Sequence, residues 1–220
     1  MQSSAQCSFS ANSRTLTKLN KGTPVYFSNT ASITEKNSRI WLVSTDELRK
    51  IADSNADASL ELGERYRRGS NGIAINYEKA LIIFEKLAIS NNPVAQYHIG
   101  IMYNEGYGVK KDRSRAIKYF MNCLSSLTIK ADEGYAPAQF AKGVLCENGY
   151  LEPENLTEAV SWYRKAADQD YIPALTRIGM CYLNGTGITK NTKTAVDLFL
   201  KAASYNDTQA QSNLGICYEY

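Results

Sequence analysis

The chain has a single histidine, His98, in 220 residues, and none of its five cysteines belongs to a Cys-x-x-Cys pair. A metal centre, or a nucleophile with its base, draws on several such side chains, so the residue supply speaks against intrinsic catalysis and against a bound metal or cofactor. No apolar run comes near the roughly 18 residues of a membrane-spanning helix, and the start carries no apolar stretch of the secretory-signal kind. Acid is missing from residues 1–34: of the 25 Lys and Arg, only Arg14, Lys18 and Lys21 lie there, and the others are balanced by the 22 Asp and Glu. A neutral body excludes a nucleic-acid face, whose affinity comes from clustered cations on phosphates. Residues 1–39, rich in Ser and Thr, read as a disordered tail of a cytoplasmic protein. The alternative is a mitochondrial targeting segment, disfavoured because the three cations line no clear helix face.

Against these absences stands an internal repeat. Aligning Gly63, Gly100, Gly143, Gly179 and Gly215 puts Ala58, Ala95, Ala138, Ala174 and Ala210 five residues earlier, and Tyr66, Tyr103, Cys146, Tyr182 and Tyr218 three residues later. Turn glycines follow at Gly69, Gly106, Gly149 and Gly185, then a second alanine column at Ala80, Ala116, Ala159 and Ala195. A period of roughly 36 residues marks stacked supersecondary units. Each unit reads as helix, glycine turn, helix. Ala95, Ile99 and Tyr103 recur every fourth residue on one helical face, the turn glycines stop the first helix, and Asn76, Asp112, Asn155 and Asn191 stand where N-caps of the second helix belong. The expected fold class is all-α, an α/α solenoid. Seven additional residues before Ala131 make nearly two turns, which lengthen one second helix without rotating its buried face. Residues 40–55 read as an N-terminal capping helix opened by a capping box from Ser44 to Glu47, and residues 56–220 as four repeats with an incomplete fifth. In that fifth unit Leu214, Ile216 and Tyr218 lack a covering helix, so self-association or fraying is expected there.

The run from Ala95 to Val109, followed by Asp112, Ala116, Tyr119 and Phe120, resembles the Sel-one-like repeat family, relatives of the tetratricopeptide repeats, and the resemblance extends over residues 56–220. It implies a superhelix that serves as a scaffold or adaptor for protein partners and brings no catalytic residues. The other role it allows is a regulatory repeat region of a larger enzyme or complex, such as a chitin synthase activator, with the chemistry outside this chain. The third repeat departs from the pattern: Leu151 replaces the second turn glycine, Lys142 stands in an apolar column, and Cys146 takes the place of tyrosine.

Variable polar residues recur two before and five after the reference glycine, and seven residues are nearly two turns, so each pair shares a stripe. The candidate protein-binding set is therefore Glu61, Arg68, His98, Glu105, Asn148, Arg177, Asn184 and Asn213, with His98 expected at the surface. Reversing the charges of Glu61, Glu105 and Arg177 together should weaken partner capture without unfolding the array. Trp162 and Tyr163 align with Tyr119 and Phe120 and read as core. The cysteines read as reduced thiols, because equivalent places in stacked repeats lie roughly 10 Å apart, beyond the ~5.5 Å of a disulfide. Gly185 to Lys190 is a helix-to-helix turn and no phosphate loop, since no strand precedes it.

Overall fold

The computed structural model describes residues 39–219, so the tail reading of residues 1–39 falls, but for its last position, outside the described residues. A 3-10 turn, Ile40–Leu42, and a short helix α1, Thr45–Ile51, precede the repeats. Five first helices, α2 (Ala56–Arg68), α4 (Pro93–Glu105), α6 (Ala136–Asn148), α8 (Ile172–Asn184) and α10 (Thr208–Glu219), alternate with second helices α3 (Tyr77–Ile89), α5 (Arg113–Asp132), α7 (Leu156–Ala167) and α9 (Thr192–Ala203). No strand occurs among the described residues. The architecture is the all-α solenoid that the columns imply.

Helix ends follow from local chemistry. The side chains of Asn76, Asp112, Asn155 and Asn191 each accept the backbone N–H three residues on, satisfying an amide the helix leaves free. Asn55, Asn92 and Asp207 do the same for α2, α4 and α10, caps that the column pattern alone did not single out. Gly69, Gly106, Gly149 and Gly185 end the first helices at φ between 59° and 79°, where a side chain would be strained.

Each helix pair is locked at its reference glycine. A Cβ on Gly63, Gly100, Gly143 or Gly179 would stand 2.7, 2.4, 2.5 or 2.5 Å from the ring of Phe84, Phe120, Tyr163 or Phe199. Those rings are wholly buried, as are the alanines of both columns, and burying one such ring stabilises the fold by about 1.5–3 kcal/mol. Helix α5 carries the additional residues: it runs for 20 residues, and Leu127 and Ala131 continue the buried stripe of Ala116, Phe120 and Cys123. Trp162 and Tyr163 are core, and the four described cysteines are free thiols, Cys123 and Cys181 buried, Cys146 and Cys217 half-buried.

The ends of the array are tied down by polar contacts. Arg65 takes a place that Met102 and Cys181 fill elsewhere; it pairs with Glu61 and donates to Thr45 Oγ1 and to the carbonyls of Trp41 and Val43. That joins the entering segment to α2. Asp207, at the start of α10, accepts from Arg68 of α2, from the Thr176 hydroxyl at 3.0 Å and from the Ala210 N–H at 2.8 Å. Tyr135 donates to Asp57 at 2.7 Å, Arg39 pairs with Asp170 at 2.8 Å, and Trp41 stands edge-on to Tyr171. First and fifth units therefore meet, with the first helices inside. In α10 the later turns are less covered: Leu214 is half-buried, while Ile216 and Tyr218 are 50% and 71% exposed.

Candidate functional site

The inward face of a first helix is built from the residues three before, one after and five after its reference glycine, which follow each other every fourth residue. In the middle repeats those places bring Tyr97, Phe140, Ile101, Val144 and Met180 together, and the turns add Tyr107 and Tyr150. They line a groove of about 280 Å³ to which all five first helices contribute, α8 through Pro173, Arg177 and Met180 and α10 through Gln209. Charged groups edge this aromatic floor: Arg67, Arg68 and Arg177 against Glu64 and Glu105.

The ionic groups of the groove are paired side by side. Arg67 grips Glu64 with Nε and Nη2 at 2.8 and 2.6 Å. Burial opposes the charge on Glu64, but Arg67, by its charge and hydrogen bonds, together with His98 and Arg68 outweighs it and holds the carboxyl down at about 2. Arg177 Nε lies 3.1 Å from Glu147, which also accepts the Tyr163 hydroxyl at 2.6 Å. Burial works against the Arg177 charge, and Glu147 together with Tyr163 and Tyr97 more than offsets it, raising its pKa. Burial likewise raises the Tyr97 phenol, with Arg67 and Arg177 both near enough to pull the other way. At neutral pH Glu64, Arg67 and Arg177 keep their charges and the Tyr97 phenol stays neutral.

Four of the eight sequence candidates line this groove: Arg68, Glu105, Asn148 and Arg177. Asn184 is exposed at the end of α8, and Asn213 is half-buried with its Nδ2 unpartnered among the described residues. The expectation of a surface His98 is overturned: it is 2% exposed, stacked on Phe84 at 4.6 Å between ring centroids, with Nδ1 3.4 Å from Glu64. In this repeat the side chain turns toward the preceding second helix, α3, whereas Arg177 in the same column opens to the groove. Burial pushes the imidazole down to about 4, with Glu64 opposing only in part, so it is neutral at pH 7. Glu61 leaves the surface set too. Its carboxylate lies under Arg65 at 2.8 Å, and burial pushes it up to about 7 against that guanidinium. Reversing its charge would therefore disturb the fold, and the triple variant expected from sequence reduces to Glu105 and Arg177. Glu61, Glu64 and His98 line, with Trp41 and Tyr171, a small cavity of about 10 Å³ beside the groove, which shares Glu64 with it.

The sequence stripe missed Glu64, Arg67, Tyr97, Ile101, Phe140, Val144, Tyr150 and Met180, all of them groove residues. A signal for six of these, all but Arg67 and Tyr150, exists. The places three before and one after the glycine change chemistry from repeat to repeat, as in Leu60, Tyr97, Phe140 and Thr176, whereas the places that contact the partner helix stay Ala or Gly.

Among the described residues no group of three or more His, Cys, Asp or Glu is placed to hold a metal ion, and no described helix is long and apolar enough to cross a membrane. The sequence model of the Sel1 repeat matches residues 56–92, 93–120, 136–171, 172–206 and 208–220. An uncharacterized protein of Neisseria meningitidis serogroup B is 29% identical over 96 residues, 44% of this chain and 18% of that protein, so this chain spans under a fifth of that relative. A Sel1 repeat protein from Oxalobacter formigenes has a solved structure similar at TM-score 0.44, with 28% identity over 84% of this chain and 71% of that one. A protective antigen present in uropathogenic Escherichia coli strains, displaying an SLR fold, is similar at TM-score 0.44, with 29% identity over 80% of this chain and 36% of its own.

Proposed function

We propose, from the premise that the chain belongs to the Sel1 repeat family, that it is a non-catalytic scaffold which holds a segment of a partner protein in the groove of its first helices. Repeats of this family generally serve protein interaction; the groove as the place of contact is the finer reading. One observation carries it: the arrangement sets Tyr97, Phe140 and Tyr150 open to one cavity with guanidinium groups at its edge, and large aromatic rings with arginine are what binding surfaces use as anchors. The single imidazole is buried and neutral, which supports a role without proton transfer. Free thiols at Cys123, Cys146, Cys181 and Cys217 support a reducing, cytoplasmic setting.

The test uses a photoreactive side chain placed at exposed Asn148 in the groove or at Met121 on the outside of α5, which is 64% exposed. In extract of the source cells, adducts should form from position 148 and be lost when Glu105→Lys and Arg177→Glu are added. Equal adducts from position 121, or adducts indifferent to the two reversals, would contradict the reading.

A further inference from the structure

We infer that the groove recognises an internal acidic side chain, aspartate or glutamate, next to an apolar side chain in a segment of the partner. This rests on the groove reading above and adds the chemistry of its occupant. The lining sets the course of the ligand. Because residues of all five first helices line the groove, the segment crosses the array, which favours an internal residue over a chain terminus.

The charge comes from a surplus of donors. A guanidinium carries five N–H donors and no acceptor. Arg67 spends two on Glu64, Arg68 one on Asp207, and Arg177 one on Glu147. Among the described residues no other acceptor takes the remaining donors of these three groups. The buried carboxylates on the protein side are already paired: Glu64 gives both oxygens to Arg67, Asp207 gives both of its own to Arg68, Thr176 and the Ala210 N–H, and Glu147 takes Tyr163 and Arg177 on one oxygen. Only Glu105 is exposed, and it accepts from Asn104 at 2.6 Å. A site with guanidinium donors left over and its buried carboxylates already paired is complementary to a further carboxylate, which guanidinium can take with paired bonds. The floor of Tyr97, Phe140 and Met180 then takes the apolar neighbour.

A library of random twelve-residue peptides, displayed internally between two inert domains, is selected against the whole chain and counter-tested on Asn148→Trp, which narrows the groove. We expect groove-dependent peptides enriched in Asp or Glu beside Leu, Phe or Tyr. Amidation of that acid to Asn or Gln should weaken binding at least tenfold, Arg177→Gln should do the same, and Arg177→Lys should restore part of it. Circular dichroism and unfolding of each variant separate lost binding from lost fold. Groove-dependent peptides that lack acid, or that carry Lys or Arg in its place, overturn the inference and leave the groove reading intact. So does a free peptide that binds through its terminal carboxylate and is indifferent to amidation of its acidic side chain. If no peptide is selected, or none senses Asn148→Trp, the groove reading fails and the inference with it.

Discussion

Gly100 and Gly215 hold the same place in the repeat, yet the Phe120 ring lies 2.4 Å from where a Cβ on Gly100 would be, and nothing approaches a Cβ on Gly215 within 4 Å. Both first helices begin alike. Ala95 and Ala210 are wholly buried, and Asn92 and Asp207 cap the two starts. What differs is the second helix: α5 lies over α4, whereas the later turns of α10 leave Ile216 and Tyr218 half or more exposed. The glycine is thus a requirement of the aromatic ring across from it and not of the helix that contains it. A first helix in this array draws its rigidity from its partner.

The largest effect should come from removing the ring itself. Phe120→Ala is expected to lower the unfolding free energy by about 4 kcal/mol, while Tyr218→Ala, in an exposed turn of α10, should change it by less than about 0.5 kcal/mol; urea titrations of the two variants give the contrast.

Acid should separate the same regions. His98 holds a folded pKa of about 4, below its ordinary 6.5, so the unfolded chain takes up a proton that the folded chain refuses. Its contribution is complete above about pH 6.5 and falls away toward pH 4, by up to about 3 kcal/mol. Glu61, raised to about 7, has the opposite slope between its ordinary value of 4.5 and 7, and Glu64, held at about 2, adds loss only below about 4.5. The decisive quantity is therefore the difference between the parent and His98→Phe. We predict that this variant loses the His98 part of the acid sensitivity, whereas Asn213→Phe, at the equivalent place in α10, leaves the pH profile unchanged. Parallel profiles for the parent and His98→Phe between pH 7 and 4.5 would refute the assignment.

A smaller change is expected at the tie between the ends. Arg68→Ala leaves Asp207 buried with Thr176 and the Ala210 N–H still bonded to it, so the loss should be about 2 kcal/mol, below the usual range for a broken buried pair. Amide exchange should quicken in α10 and stay unchanged in α4. Equal quickening in both would mean that the tie stabilises the whole array and not the fifth unit.

The architecture was legible because its determinants are local or periodic. N-cap residues such as Asp112 and Asn191, the turn glycines and the two alanine columns each act within a few residues of where they are written. The groove was half legible. Arg68, Glu105, Asn148 and Arg177 are polar and variable, so a stripe of polar residues finds them; Tyr97, Phe140 and Met180 are apolar, and in a single sequence an apolar residue facing a groove looks like one facing a core. His98 was misplaced for a related reason. A polar side chain in a variable column was read as exposed, whereas the flat imidazole packs on Phe84 as an aromatic ring would. The tie between Arg68 and Asp207, 139 residues apart and in unrelated places of their repeats, leaves no periodic mark at all.

The most direct test of the account is the pair Gly100→Ala and Gly215→Ala, measured by urea unfolding of the 220-residue chain. Alanine gains about 1 kcal/mol over glycine in a helix interior, and forcing a methyl group against a packed ring costs about 1–3 kcal/mol or more. At Gly100 the contact at 2.4 Å decides the sign, and we predict a net loss of about 2 kcal/mol; at Gly215 only the propensity term operates, and we predict no loss and a gain of up to about 1 kcal/mol. Losses of the same size at both positions would contradict the claim that the second helix, through its aromatic ring, is what makes the glycine column necessary.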